Sequence, residues 1–324
     1  AYGKCPIFLQ SVSKGGLNMY YYRLYGMLLE SELCFPEADE LTPPVTPDAT
    51  LTLGMPPEWV VTEYRQGKFS SITEQVMWFR LYDELLVYVE QGSKAIVWKL
   101  DPALDEVRMR TYLLSGAITF LLLQRGYLLI HGSALCCKDK AYLISGPSGS
   151  GKSTTALHLM KQPGILFASD DICAVRTENG QSILYPGPPW QRVCADVMRR
   201  NPDSEYTYIR EADEKYGRKL TDSYCREPLP VGGMFTIYRD NCEELSCEEL
   251  SGSEKLQVLT HNLFRGELLN LLGITPARMT QFLSAVTSFP IYKIARPQNR
   301  DTTKEIPEII SKYINDVRFL VFPS

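Results

Sequence analysis

Gly146-Pro147-Ser148-Gly149-Ser150-Gly151-Lys152-Ser153-Thr154 fits the pattern G-x-x-x-x-G-K-[ST] at every fixed position. The apolar run Ala141-Tyr142-Leu143-Ile144-Ser145 leads into it, and Thr155-Ala156-Leu157-His158-Leu159-Met160 follows with helical patterning. Strand, glycine-rich loop and helix are the context in which this pattern cradles phosphate. The glycines let backbone N–H groups wrap an anion, and the helix N-terminus adds positive potential. The residues in direct contact with phosphate are therefore expected to be Gly146 through Thr154. Lys152 is placed to reach the β- and γ-phosphates of a nucleotide, and Ser153 to offer a hydroxyl to Mg²⁺.

The next informative feature is the acidic pair Asp170-Asp171, which follows Ser153 by only 17 and 18 residues. That interval holds one helix and one strand. The reading is a strand Gly164–Asp171 ending in two carboxylates and returning close beside the loop strand. A carboxylate there can hold Mg²⁺, and its neighbour can take the proton of an attacking hydroxyl. Motor ATPases and GTPases usually place the metal carboxylate further along the chain, whereas small phosphotransferases place it early.

His131 closes another apolar run, Tyr127-Leu128-Leu129-Ile130, fifteen residues before Gly146. If the strands flanking Lys138-Asp139-Lys140 form a hairpin, His131 lies near the phosphate loop. On its own, a lone histidine in an apolar strand reads as a core residue bonded to backbone. Arginine is expected to steady charge building on a transferred phosphoryl group. The candidates are Arg192, Arg218, Arg226 and Arg265. Arg218 and Lys219 come first, because the charged segment 201–228 could act as a cover over the phosphates. A solvated surface is the equal alternative for that segment.

Bulk properties narrow the class. The chain has 324 residues, 44% hydrophobic and 22% charged, with a net charge of −4. That suits a globular protein with a sizeable core and no overall basic field for nucleic acid. Nine cysteines, an odd number at irregular spacings, make no disulfide framework, and three histidines leave little for a zinc site. No signal-like segment opens the chain, so a reducing, cytoplasmic compartment is expected. The most apolar stretch, Tyr112 to Leu123, covers 12 residues, short of the roughly 20 that span a bilayer. It reads as part of a buried helix over 108–125, stopped by Gly126.

Residues 1–17 read as a tail. The aromatic stretch 18–33 suggests one or two strands, and residues 36–57 a proline-punctuated loop with a short strand at Thr50–Leu53. Met77–Leu81, Glu84–Val89 and Ala95–Trp98 are further strand candidates. Residues 18–105 thus form a small, mostly β domain, with a role in substrate recognition as its suggested use. Strands follow at Ser182–Tyr185 after a turn at Glu178-Asn179-Gly180, and at Met234–Tyr238. The last third reads as mainly helical, with a strand over Phe289–Ile294.

Taken together, His131-Gly132, its interval to the loop, the loop itself and Ala168-Ser169-Asp170-Asp171 resemble the kinase domain of bacterial HPr kinase/phosphorylase. The ATP-dependent phosphoenolpyruvate carboxykinases are its more distant relatives. Other stretches are similar to HPr-kinase-like proteins encoded with peptide natural-product pathways, among them kinases acting on the C-terminal serine of lasso-peptide precursors. These stretches are Tyr22-Arg23-Leu24-Tyr25-Gly26, Gln124-Arg125-Gly126-Tyr127, His131-Gly132-Ser133-Ala134, Tyr185-Pro186-Gly187-Pro188-Pro189 and Phe289-Pro290-Ile291-Tyr292-Lys293.

The resemblance runs from about residue 18 onward. It implies an α/β P-loop kinase core of this type over 106–324, behind the smaller mostly β domain. The implied cofactors are ATP and Mg²⁺, and the implied partner is a peptide or small protein carrying an acceptor serine, with no nucleic acid and no membrane. In the family the histidine and the acidic pair line the γ-phosphate site. Carried over, Asp171 takes the role of base and Asp170, with Ser153, the metal side, while His131 supports them. The family's C-terminal signature is not evident and the front section differs. The reverse phosphorylase reaction and hexameric assembly are therefore not carried over, and self-association stays open. Two other classes remain: a small-molecule hydroxyl kinase, against which the 145 residues before the loop count, and a non-catalytic nucleotide sensor.

Overall fold

The structure is a computed structural model that describes residues 18–200, 205–210, 215–273 and 275–315. The expected tail 1–17 lies outside the described residues. The chain is a mixed α/β protein whose contacts divide it into two compact units, Ala1–Tyr127 with Asn270–Gly273, and Leu128–Leu269 with Ile274–Ser324.

In the first unit, strands β1 (Tyr20–Leu24), β2 (Met27–Ser31) and β3 (Ala49–Leu53) precede helix α1 (Glu58–Arg65). Four more strands follow, β4 (Ser70–Ile72), β5 (Val76–Leu81), β6 (Leu85–Glu90) and β7 (Lys94–Lys99). The seven make one sheet in the order β1-β2-β3-β7-β6-β5-β4. Every strand expected in residues 18–105 is present. Helix α1 buries Val60 against Trp78, Leu86 and Tyr88 of the sheet.

The single buried helix expected over 108–125 is two helices, α2 (Glu106–Ser115) and α3 (Ala117–Gln124). The chain breaks helical geometry at Gly116, whose ψ of −74° departs from the helical value. Phe79 packs there, its ring centroid 4.4 Å from that of Phe120. The stop at Gly126 closes as a Schellman turn, with Gly126 N–H donating to Leu123 and Tyr127 N–H to Leu122.

The second unit opens with β8 (Leu128–Cys137) and β9 (Lys140–Ser145), then α4 (Lys152–Leu159), β10 (Leu166–Glu178) and β11 (Gln181–Tyr185). β12 (Trp190–Cys194), α5 (Ala195–Arg200), β13 (Thr207–Arg210) and β14 (Lys215–Lys219) come next. β15 (Leu229–Asp240), β16 (Ser246–Glu249), α6 (Gly252–His261), α7 (Gly266–Leu272), α8 (Pro276–Ser288), β17 (Ile291–Pro297) and α9 (Glu305–Asn315) complete the chain order.

The central sheet runs β11-β10-β8-β9-β15-β17-β16. Its strands are apolar on both faces because both are covered. On one face Leu135, Tyr142 and Ile144 pack with Ala156 and Leu159 of α4 and with Ile306, Ile310 and Ile314 of α9. On the other, Ile130, Leu143 and Cys173 pack with Leu259 of α6 and Ala285 of α8. Part of the charged segment 201–228 forms β13 and β14, which join β12 in a separate three-stranded sheet. Among the described residues no helix is long and apolar enough to cross a membrane.

Candidate active site

Lys138 and Asp139 both take positive φ, 48° and 60°. That is the backbone of a two-residue type I′ turn, whose twist matches antiparallel strands. It fixes the register of the β8–β9 hairpin so that Gly132 stands opposite Ser145. Any side chain at Gly132 would meet the carbonyl oxygen of Ile144 at 2.5 Å. The chain then leaves β9 through Gly146, at φ 133°, where an added Cβ would lie 2.3 Å from the Ile237 carbonyl oxygen. Glycine is required there twice over, by conformation and by space.

The loop turns into α4 at Lys152. Its ammonium donates to the carbonyls of Gly146 and Pro147, at 2.8 and 3.0 Å, and so folds back across the loop. Burial pulls the Lys152 pKa below its ordinary value, while the Asp170 and Asp171 charges oppose that shift. Arg296, at the end of β17, donates through Nη1 to the Ser150 carbonyl at 3.2 Å. The Ser150 hydroxyl and Arg296 Nε are both buried without a hydrogen-bond partner. Unmet polar atoms around a loop of this kind are groups a phosphate-bearing ligand could satisfy.

The acidic strand does not end at its carboxylates, and it does not lie directly beside the loop strand. β10 runs on to Glu178, because Ile172–Val175 continue the apolar pairing with Leu128–His131 of β8. β8 stands between β10 and β9. Proximity comes instead from register. Asp171 pairs with Gly132 and Gly132 with Ser145, so one row across three strands carries the carboxylate to the mouth of the loop.

Alternation along a strand would send Asp170 and Asp171 to opposite faces. Asp171 breaks that rule, with φ at +71°. Both residues line a cavity of about 480 Å³ with Lys152, Ser153 and Thr154. Asp170 accepts from the Ser133 hydroxyl at 2.7 Å and from the Arg192 backbone N–H at 2.9 Å. Burial raises its pKa above the ordinary aspartate value, partly offset by those two hydrogen bonds. Asp171 is paired with the guanidinium of Arg192 at 2.9 Å.

His131 Nδ1 lies 3.2 Å from the Asp171 carbonyl oxygen and 3.5 Å from its carboxylate. Donation by Nδ1–H to that carbonyl leaves Nε2 as the acceptor. The His131 backbone is pinned on both sides. Its N–H donates to the Asn262 carbonyl at 2.7 Å, and its carbonyl accepts from the Ser145 hydroxyl at 2.6 Å. That hydroxyl is shared with Asn262 Oδ1 at 2.7 Å. Asn262 thus ties the last residue of β9 to the histidine.

The structure gathers His131, Ser148, Gly149, Gly151–Thr154, Asp170 and Asp171 around one cavity. Gly146 and Pro147 line its neighbour, which shares His131, and Ser150 is buried in the loop. The cations at the first cavity are Lys152, Arg192, Lys215, Arg239 and Arg296, and neither Arg218 nor Lys219 lines it. Arg218 lies on β14 three residues from Lys215, so strand alternation turns it to the other face. There it donates to Gln191 Oε1 at 3.0 and 2.8 Å. Arg226 stacks over Tyr224.

Sequence reasoning missed Lys215, Arg239, Arg296 and Asn262. Arg296 stands over 140 residues from the loop it touches, and no local pattern marks it. Among the described residues no three His, Cys, Asp or Glu side chains cluster for a metal ion. Ser153 and Asp170 are nonetheless the hard-oxygen donors that Mg²⁺ accepts when phosphates and water complete its shell.

No protein-family model matches the chain, and no curated protein does. Among solved structures the chain is similar to the HPr(Ser) kinase/phosphatase from Coxiella burnetii, at 14% sequence identity and a TM-score of 0.30. That alignment covers 59% of this chain and 97% of the other.

Proposed function

We propose that the chain is an ATP- and Mg²⁺-dependent kinase that phosphorylates a serine hydroxyl of a peptide or small protein, of the natural-product precursor type. One observation carries the reading: the row Asp171–Gly132–Ser145 sets a carboxylate beside the mouth of a phosphate loop.

In this reading the loop amides and Lys152 hold the β- and γ-phosphates. Ser153 and Asp170 would hold Mg²⁺, which would supply positive charge to neutralise the phosphates. The acceptor oxygen bonds to the γ-phosphorus while the bond from that phosphorus to the bridging oxygen breaks, releasing ADP. Asp171 takes the hydroxyl proton. Arg192 pairs with the Asp171 carboxylate and offers positive charge to the moving phosphoryl group. His131 holds the Asp171 backbone and presents Nε2 to the site. Residues 18–105 are assigned to recognition of the acceptor. The eight described cysteines are all free thiols, which agrees with a reducing, cytoplasmic setting.

The test is transfer from γ-labelled ATP with Mg²⁺ to serine-containing precursor peptides, an HPr-like protein and a pool of hydroxy metabolites, with mass spectrometry locating the phosphate. Label on a peptide serine is the expected result. Label on a metabolite alone moves the chain to the small-molecule kinases. Tight ATP binding with no label on any acceptor sinks the kinase reading in favour of a sensor.

A further inference from the structure

A second cavity, of about 690 Å³, meets the first at His131. Its walls include Pro147, Tyr238, Phe264, Arg265 and Glu267. It therefore begins at the first residues of the phosphate loop, Gly146 and Pro147. The two cavities differ in charge. The first gathers five cations against the three carboxylates Asp170, Asp171 and Asp301, a positive excess that suits a triphosphate. The second holds one guanidinium and one carboxylate among its aromatic and histidine walls, which disfavours a multiply charged phosphate chain. Its volume lies in the range that encloses a small ligand or one to two residues.

Arg265 is the informative side chain. Its backbone is left-handed, with φ at 51°. Its guanidinium lies over the Phe264 ring at 5.9 Å. Among the described residues it makes no hydrogen bond or ion pair. A guanidinium left unpaired at a ligand-sized cavity is a fork for a carboxylate. The cavity itself is held to the catalytic row. The segment after α6 takes the place beside β8 that β9 vacates, with Ile130 bridging to Leu263 and Phe264 N–H donating to Leu129.

Resting on the kinase reading, we infer that this second cavity is the acceptor site, and that Arg265 selects an acceptor bearing one carboxylate close to its hydroxyl. The hydroxyl enters between His131 and Pro147 and attacks the γ-phosphorus, with Asp171 taking the proton and ADP leaving. The carboxylate has two sources, a chain terminus or a neighbouring acidic side chain.

The chain has three histidines, and two of them, His131 and His261, line this cavity. Histidine-¹⁵N NMR therefore reads the site directly, with His158 of α4 as internal control. The full chain is first saturated with Mg²⁺ and a non-hydrolysable ATP analogue. N-acetyl-L-serine, N-acetyl-L-seryl-L-aspartic acid α-amide, whose side-chain carboxylate stays free, and N-acetyl-L-serinamide are then titrated. His261 and His131 should shift with at least one carboxylated probe at about tenfold lower concentration than with the neutral one. The tighter of the two acids identifies the source.

Arg265→Gln should abolish that preference and Arg265→Lys should restore part of it, with analogue affinity unchanged in both. Equal affinity for acid and amide overturns the inference. So does a preference that survives Arg265→Gln, or the absence of any His261 shift at concentrations that saturate a millimolar site. Failure of the analogue itself to bind would instead remove the kinase reading.

Discussion

At the residue scale, Asp171 joins backbone strain to chemistry. A non-glycine residue at positive φ costs on the order of 1–3 kcal/mol, and aspartate and asparagine bear it best. Asp171→Asn should therefore fold well, whereas Asp171→Val should be less stable than Asp171→Asn by about 2 kcal/mol in denaturant melts. Both variants remove the charge, so the difference combines the backbone cost with the hydrogen bond that an amide can still accept from Arg192. Asp170 makes a separate prediction. Its folded pKa is raised by burial, so the fold holds its proton more tightly than the unfolded chain does. The resulting loss of stability is absent below the ordinary aspartate value of about 4 and complete once pH passes the raised folded value. Asp170→Asn should thus raise Tm of the nucleotide-free protein at neutral pH, with the gain shrinking on acidification. A gain that grows toward acid would contradict the placement of this charge.

At the element scale, the hairpin turn is the clearest lever on the site. Lys138 and Asp139 both occupy the left-handed region, where Asn-Gly is preferred. Replacing the pair with Asn-Gly should stabilise the protein by about 1 kcal/mol in denaturant melts, with ATP affinity unchanged. Helix α9 shows the opposite lever. Ile310 has no exposed surface and packs on the sheet face that carries α4. Ile310→Ala should cost about 2–5 kcal/mol.

Much of this scale was legible because short continuous apolar runs, as at Leu85–Glu90, and turn residues, as at Lys138-Asp139, announce strands. Three features were not. Gly116 divides an apolar run that composition alone reads as one helix. β10 passes through two carboxylates, which look like a strand end until β8 and β11 pair beyond them. β14 arises from a sequence crowded with charge, because its pairing with β12 rather than its own polarity makes the strand.

At the scale of the whole molecule, the phosphate loop, the acidic pair and the histidine are local motifs, and their residues were visible in the sequence. The cations around them were not. Arg192 was one candidate among four, and Lys215, Arg239 and Arg296 reach the cavity only through sheet order and strand alternation. Asn262 arrives from a helix end more than 100 residues beyond the loop. Ligand binding should report this organisation. At about 100 times its Kd, ATP should add roughly 2.7 kcal/mol of stability. The new hydrogen-exchange protection should fall on β8, β9, α4 and the middle of β10, and not on β1–β7.

The central claim is that the phosphate loop and the acidic pair are one phosphotransfer site. Its most direct test is the transfer rate at saturating Mg²⁺-ATP, measured on the same serine peptides for the unaltered chain and for Asp171→Asn, alongside the ATP Kd of each. Transfer by the unaltered chain, reduced about 10²- to 10⁴-fold in the variant with Kd essentially unchanged, is the predicted result. Equal transfer rates in the two proteins would contradict it.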